Sequence, residues 1–579
     1  MTNRDIAAVF EQVADLLEFQ GANPFRIRAY RNGSRKIASL DESLLTILSD
    51  ESRQLTDLEG IGKDLADKIG TLVETGNLPM LSELLDSIPP TVLALLRVPG
   101  LGPKKAAVLH RDLGINSLDE LRAACEAKRV RELKGFAAKT EETILKGLAI
   151  AAEAERRTKW AEADEVVAEL LSHMRAAGGI AQMEMAGSYR RGCETVGDLD
   201  LLVDAADGAA VMDRLGSLPG LAEVLVRGGT KMSVRLRSGM QIDLRVVPAE
   251  SFGAALQYFT GSKDHNVVVR GKAKQQGLKV SEWGVFRVAA DGEETYLAGH
   301  TEAEVYAALG LPWFPPALRE ARQEFAWAEQ DGLPKLVELD DIRGDLHMHT
   351  TATDGKASLR EMVDAARSRS LKYIAITDHS QRVSMANGLD AHRLRAQWAE
   401  IDALREEVDD LVILKGIECD ILEKGGMDLS DDVLAEADWV VASVHYGQQQ
   451  PIEKITERIL GALENPHVDI IAHPTGRLIN RREPYAVDME QVYAAAAKHG
   501  KFLELNANPA RLDLHDVHCA AAKRMGIPIV ISTDAHSTIG MDVMRYGILQ
   551  AQRGGLSAAD VANTLPWEKF SKLLRSERS

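Results

Sequence analysis

Apolar residues return every three or four positions in IAAVFEQVADLL (6–17) and LADKIGTLVETG (65–76), the spacing that gathers them on one face of a helix. Gly and Pro interrupt such segments throughout residues 1–150, so this region is expected to be all α, built from short amphipathic helices. From about Gly179 the pattern changes. Short β-branched runs such as MSVRLRS (232–238) and QIDLRVVP (241–248), mixed with helical segments, predict an α+β region. A proline cluster and a polar, charge-rich stretch follow in LPWFPPALREARQEFAWAEQDGLPKLVELDD (311–341), which predicts a linker at 316–338. Beyond it, apolar strands alternate with helices, and KYIAITDH, LVILKGIECD, WVVASVHYG, VDIIAHP, KFLELNAN and IPIVISTDAH each run into a polar residue at the end. A parallel β/α barrel presents its active-site face in this way.

Two segments of the helical region repeat one design. LEGIGKDLADKIG and VPGLGPKKAAVLH place Gly-x-Gly between helices, Gly60 with Gly62 and Gly100 with Gly102, followed by Lys63 or by Lys104 and Lys105. Glycines let the backbone approach a phosphate, and the N–H groups that open the next helix bind it without reading sequence. One such turn is ordinary; two with the same flanks point to non-specific binding of a DNA backbone. A third candidate, LKGFAAKTEETIL, has Ala137 where the second Gly belongs.

In MEMAGSYRRGCETVGDLDLLVD, a turn of Gly187 and Ser188 with Arg190 and Arg191 precedes Asp198 and Asp200, which alternate on an apolar strand and so share one face. Asp243, in the strand pattern QIDLRVVP, supplies a third carboxylate. Together they offer the oxygen ligands with which two Mg²⁺ ions hold a triphosphate and activate a 3′-hydroxyl, the chemistry of nucleotidyl transfer. These stretches, continued by YFTGSKDHN, resemble family X DNA polymerases. The resemblance implies a palm in which Asp198, Asp200 and Asp243 hold Mg²⁺ or Mn²⁺, Asp243 also acting on the primer hydroxyl. It implies that Gly187, Ser188, Arg191 and Gly197 meet the triphosphate, and that Tyr258, Phe259, Gly261 and Asn266 line the nucleotide pocket, Tyr258 crowding a ribose 2′-OH. Val196 and Gln241 depart from animal relatives, which carry a phosphate-contacting serine and an arginine there. In the N-terminal region, Lys68 matches the Schiff-base lysine of a 5′-deoxyribose phosphate lyase, and Asp64 replaces a neighbouring basic residue.

Eleven of the fifteen histidines lie after residue 340. His347, His349, Asp354, His379, Glu418, His445, His473, Asp534 and His536 mix imidazole with carboxylate, a donor set suited to Zn²⁺, Mn²⁺ or Fe²⁺ and not to Mg²⁺ alone. Nine donors exceed the needs of one ion, so two or three close ions are expected, with Asp378 in a supporting position. GDLHMHT, AITDHS, ASVHYG, IIAHPTGR and STDAH closely resemble the PHP (polymerase and histidinol phosphatase) family. That resemblance implies a trinuclear site in a distorted, TIM-like β/α barrel and, beside a polymerase, a 3′–5′ exonuclease that also acts on blocked ends or abasic sites. His392, His467, His499, His515 and His518 are expected to be ordinary core or surface residues. Arg477 and Arg482 are candidates for holding DNA phosphates, beside the alternative of a surface role.

A net charge of -18 opposes nucleic-acid binding by the chain as a whole, but residues 1–150 carry 20 basic and 22 acidic side chains against 49 and 65 in the remaining 429. Binding by the helical region then rests on local contacts and not on a bulk positive field. Cys125, Cys193, Cys419 and Cys519 form no CxxC pair, so neither a disulfide framework nor a zinc ribbon is indicated. The N-terminus lacks a basic start followed by an apolar run, and a soluble cytoplasmic protein is expected.

The two resemblances cover nearly the whole chain in the order found in bacterial and archaeal family X polymerases with a C-terminal PHP domain. They imply a multidomain fold: an all-α helix-hairpin-helix region (lyase-like domain 1–90, fingers 91–150), an α+β nucleotidyltransferase palm (151–250) and thumb (251–315), the linker, and a PHP barrel at 339–579. The expected activity is the filling of short gaps in primer-template DNA from dNTPs by a monomer, with exonucleolytic trimming. Two rivals are a small-molecule phosphatase, because PHP motifs also serve histidinol phosphate hydrolysis, and a DNA-binding scaffold with a decayed polymerase.

Overall fold

In a computed structural model of the protein, residues 3–574 are described except 39–43, 50–52, 59–60, 76–77, 89–94, 96–97, 99–100, 177 and 331. The chain divides into two units, residues 1–156 and 157–579.

The first unit is all α, in agreement with the helical periodicity. Its helices include α1 (Asn3–Phe19), α2 (Pro24–Ala38), α3 (Lys63–Thr75), α4 (Pro103–Leu113), α5 (Leu118–Glu126) and α6 (Ala138–Arg156). The apolar stripe of α1 forms a core with α2 and α3 through Phe10, Val13, Leu17, Ile27, Ile69 and Leu72. Arg31 on α2 reinforces that packing by pairing with Glu11, Asp15 and Glu18 of α1 at 2.5, 2.7 and 2.8 Å. A second core, of Leu101, Leu109, Leu121 and Ile144 among others, gathers α4 to α6.

The second unit begins with α7 (Trp160–Arg175) and a five-stranded sheet of β1 (Ile180–Met185), β2 (Asp198–Ala205), β3 (Leu221–Arg227), β4 (Lys231–Leu236) and β5 (Gln241–Val246). The order is β1-β2-β5-β4-β3, with β2 and β5 parallel and the other pairs antiparallel. Helices α8 (Phe252–Thr260) and α9 (Lys263–Gln275) lead to a small antiparallel sheet of β6 (Leu278–Ser281), β7 (Gly284–Val288) and β8 (Glu294–Ala298), followed by α10 (Glu302–Ala307).

The linker expected at 316–338 is corrected over residues 316–330, which are packed into the fold. Arg319 is fully buried, bonded to the Phe314 carbonyl at 2.9 Å and paired with Glu302. Glu324, also buried, accepts from His265 Nδ1 at 2.9 Å, and Arg322 reaches Asp516 at 3.0 Å. Charge density alone does not distinguish a solvated spacer from buried ion pairs, and here the charges have partners.

The last third is a seven-stranded parallel sheet in sequence order: β9 (Gly344–Asp345), β10 (Tyr373–Ile376), β11 (Val412–Asp420), β12 (Trp439–Ser443), β13 (Ile470–Ile471), β14 (Phe502–Asn506) and β15 (Ile529–Ser532). A parallel bridge between Met348 and Ala535 joins the first strand region to the last, so the sheet curls into a nearly closed barrel. Its strands are apolar on both faces, as parallel strands covered by helices must be. One set of side chains, including Ile374, Ile413, Val440 and Ile531, belongs to the core packed with the helices. The alternate set, Tyr373, Leu414, Trp439, Phe502 and Val530, packs with Phe570, whose ring stacks on Tyr373 at 4.9 Å. This apolar filling leaves the C-terminal strand ends as the place where polar side chains converge. The barrel also carries α11 (Met544–Arg553), which touches the polymerase-like part: Arg545 pairs with Asp164 of α7 at 2.9 Å, and Tyr546 meets the Trp160 ring edge-on at 5.7 Å. Among the described residues, no helix is long and apolar enough to cross a membrane.

Candidate active sites

The parallel register of β2 and β5 sets Asp200 opposite Asp243, with Asp198 opposite Gln241. Two residues along a strand return to the same face, so all three carboxylates share it. Their proximity is electrostatically costly. Burial, then the charges of Asp198 and Asp243, push the Asp200 pKa up to about 7, and burial and Asp243 raise that of Asp198. A crowd of carboxylates that resists ionisation is what a cationic occupant relieves, so the donors fit divalent ions. Asp243 is held in place by the Ser233 hydroxyl and by Gln241 Nε2 at 3.0 Å, with Lys231 Nζ at 3.8 Å. Ser233 and Lys231 were not foreseen from sequence; both lie on the neighbouring β4, in register with Asp243 and Arg245.

Gly187 opens the adjacent helical turn with φ +65°, and a Cβ there would stand 2.4 Å from Asp200 Oδ2. Only glycine allows this approach. Ser188, the next residue, and Gly197, which precedes Asp198, are half-buried. Arg191 is engaged, donating to Glu320 Oε1 and to the Thr260 carbonyl, each at 2.9 Å. Tyr258 and Phe259 meet edge-on at 5.2 Å, and Arg245 lies over the Phe259 ring at 4.3 Å. Asn266 spends its amide internally, donating to the Tyr258 carbonyl at 2.7 Å and accepting from Gln257 at 3.0 Å. A Cβ on Gly261 would lie 2.7 Å from Asn266 Oδ1.

All nine donors expected in the barrel come together at the strand ends. Glu418, 1% exposed at the end of β11, is the hub: His379 Nδ1 lies 2.8 Å from its carboxylate, His473 Nε2 3.1 Å, His445 Nε2 3.4 Å, His347 Nε2 3.5 Å and His349 Nε2 3.7 Å. Asp534 approaches His349 Nε2 at 3.1 Å, and Asp354 faces His536 at 3.4 Å and His379 at 3.6 Å. Three overlapping groups, His349-Asp354-His379-His536, His347-His349-Asp534 and His379-Glu418-His445, have donor atoms close enough to hold a metal ion. The fit is supported by buried imidazole nitrogens without a hydrogen-bond partner: His347 Nε2, His349 Nδ1 and His473 Nδ1. Burial and the neighbouring His536 and His379 lower the His349 pKa, which favours the neutral ring that a metal binds. Burial alone would raise the Glu418 pKa, but the surrounding histidines hold it well below the usual range. His473 and Asp534 adopt positive φ, +29° and +53°, a strained backbone at the point where both side chains enter the cluster.

Three residues at this site escaped the sequence reading. Glu504 accepts from His347 Nδ1 at 2.6 Å and from the His473 backbone N–H at 2.7 Å. Asp420 accepts from His445 Nδ1 at 3.1 Å. Arg511 Nε stands 3.9 Å from Asp534. Asp420 closes β11, as the expected donors close their strands, whereas Glu504 lies in the middle of β14 and carries no such mark. Asp378 bonds to the Thr350 backbone N–H at 2.9 Å and to its hydroxyl at 2.7 Å. His392, His467, His499, His515 and His518 belong to none of the three groups. Arg477 and Arg482 do not face the cluster as free cations: Arg477 pairs with Glu194 at 2.6 Å and Arg482 donates to the Gly476 carbonyl at 2.6 Å.

In the first unit, Gly62 precedes α3 and Gly102 caps α4, and a Cβ on either would meet nothing within 4 Å. Lys63 and Lys104 are exposed, whereas Lys105 lies 5.9 Å over the Phe136 ring. Gly60 and Gly100 fall outside the described residues. Lys68 pairs with Asp64 and lies 6.0 Å over the Tyr30 ring. Burial lowers its pKa, but the hydrogen bond it donates to Asp64, aided by Tyr30, leaves the amine above its usual value.

A carboxylate-lined palm joined to a histidine-rich barrel defines a two-site enzyme of phosphoester chemistry. The chain matches the helix-hairpin-helix domain at residues 1–78, the SAM-like helix-hairpin-helix tandem at 92–149, the DNA polymerase beta palm at 157–234, the DNA polymerase beta thumb at 255–320 and the PHP domain at 345–508. It is 42% identical over 565 residues, 97% of both chains, to the DNA polymerase/3′-5′ exonuclease PolX of Bacillus subtilis. Rat DNA polymerase lambda is 28% identical over 289 residues, 45% of this chain and 48% of its own. A probable phosphatase of Thermoanaerobacter sp. is 30% identical over 231 residues, 38% of this chain and 89% of its own. The chain belongs to the family X DNA polymerases that carry a C-terminal PHP domain.

Proposed function

We propose that the protein fills short gaps in DNA by adding nucleotides at the palm and removes 3′-terminal nucleotides at the barrel. The observation that carries the first half is the register that sets Asp200 against Asp243; Glu418 at the centre of five histidines carries the second. In the palm, Asp198, Asp200 and Asp243 would hold Mg²⁺ or Mn²⁺, and in the barrel the nine donors would hold two or three Mn²⁺, Zn²⁺ or Fe²⁺ ions. Bound ions supply neutralisation of the phosphate charge and the polarisation needed for in-line displacement.

The protein's own residues do the rest. Ser233 and Gln241 fix the Asp243 carboxylate so that it can receive the proton of a primer 3′-hydroxyl. Gly187, Ser188 and Gly197 shape the turn that admits a triphosphate, and Arg191 is its cationic contact. Tyr258 and Phe259 wall the base and sugar. In the barrel, Arg511 beside Asp534 is placed to hold the phosphate being cleaved. Gly62 and Gly102, with Lys63 and Lys104, leave open faces where a DNA backbone can approach.

The phosphatase reading is favoured by relatives that match 38% of the chain, whereas the PolX likeness spans 97% of it. The lyase reading is weakened at Lys68, whose ammonium is stabilised by Asp64, since a Schiff base needs the neutral amine. The deciding experiment follows a 5′-labelled primer in gapped DNA with Mn²⁺, with and without dNTPs. Asp243→Ala is expected to lose extension and keep shortening, and His349→Ala the reverse. A wild type that does neither would leave the phosphatase or scaffold as the better account.

A further inference from the structure

The turn that follows Gly187 rests on the barrel. A Cβ on Gly192 would stand 3.4 Å from Leu549 of α11. Arg553, at the end of the same helix, donates through Nη1 to the Arg191 carbonyl at 3.1 Å and to Glu320 Oε1 at 2.8 Å. That one oxygen also accepts from Arg191 Nε at 2.9 Å. Through Nη2, Arg553 reaches the fully buried Asp516 at 2.9 Å. The side chains of Arg191, Glu320 and Arg553 are 14%, 16% and 7% exposed, so solvent screens this cluster poorly.

We propose that Glu320 is a latch on Arg191, and that Arg553 of the barrel sets how easily the latch opens for an incoming triphosphate. The inference rests on the reading of Arg191 as a triphosphate contact. In this structure Arg191 has Nε committed to Glu320 and Nη1 to Thr260. To meet phosphate oxygens it must release the carboxylate. Leaving a buried carboxylate without a cation is strongly unfavourable, whereas leaving it with a remaining arginine is not. Arg553 is that arginine, since it contacts the same Glu320 oxygen and keeps its own second partner, Asp516. The nuclease barrel thereby contributes a positioning residue to the polymerase, and nucleotide affinity depends on a helix of the other catalytic domain.

The test is a dNTP titration of single-nucleotide gap filling by the full-length protein, with Glu320→Gln, Arg191→Ala, their double variant and Arg553→Gln. Glu320→Gln is expected to lower KM for dNTP about three- to tenfold with kcat changed less than about twofold. Arg191→Ala raises KM, and adding Glu320→Gln to it gives no further fall, because the latch then holds nothing. Arg553→Gln raises KM, with thermal melting and strand shortening as checks that the barrel is intact; if that variant unfolds, the Glu320 and Arg191 pair still decides. An increased KM in Arg191→Ala with an unchanged or higher KM in Glu320→Gln overturns the latch and spares the triphosphate reading. No effect of Arg191→Ala on KM removes the triphosphate reading and the latch with it.

Discussion

Glu504 and His347, 157 residues apart in the chain, are joined by a hydrogen bond of 2.6 Å between the carboxylate and the ring Nδ1. The bond fixes the tautomer and points Nε2 toward Glu418 and Asp534, at 3.5 and 3.7 Å. Glu504→Gln keeps the shape and removes the charge. We expect Mn²⁺ affinity of the barrel to fall about 10- to 100-fold, with exonuclease lost at limiting metal and extension retained. Titration with Mn²⁺ followed by calorimetry checks the affinity directly.

The Asp200 carboxyl predicts a pH dependence of the metal-free protein. In the folded state it keeps its proton up to about pH 7, whereas the unfolded chain releases it near the ordinary value of 3.8. The folded form therefore binds more protons across that window, and stability falls as pH rises through it. In chelator at pH 8, Asp200→Asn should be more stable than wild type by on the order of 2 kcal/mol, with little difference at pH 4. Equal melting of the two proteins at pH 8 would remove the electrostatic crowding from the account.

Gly187→Ala should abolish extension. A methyl group would stand 2.4 Å from Asp200 Oδ2, and the residue sits at φ +65°, so both the carboxylate and the turn must move. The barrel strands are distant in sequence from this change, and shortening of the same primer should continue. The comparison of the two rates on one gel separates a local effect from loss of folding.

Asp64 makes the lyase question measurable. Its hydrogen bond to Lys68 raises the amine pKa against the effect of burial. Borohydride trapping to a 5′-deoxyribose phosphate end should be weak in the wild type, stronger in Asp64→Ala and absent in Asp64→Ala/Lys68→Ala. Equal trapping with and without Lys68 would exclude it as the Schiff-base residue.

Much of the architecture was legible along the chain because its signals are local. Helical periodicity, a change to strand runs, and apolar strands that each end in a polar residue are properties of a dozen neighbouring positions. The same local patterns nominated Asp198, Asp200 and Asp243, and the nine donors that meet around Glu418. The residues that were missed have no local signature. Glu504 is an acid within an apolar strand and Asp420 one that closes another, and only the barrel reveals the imidazoles they orient.

The amino-acid sequence by itself determined the kinds of layer, their order and the donor types, since these follow from side-chain chemistry and spacing. The tertiary structure alone decided the partners: that Asp200 stands against Asp243, that residues 316–330 are packed through Arg319 and Glu324, and that Arg191 and Arg553 share Glu320. A buried charge is stable only beside a compensating group, and which group lies beside it is set by how strands and helices far apart in the chain pack together.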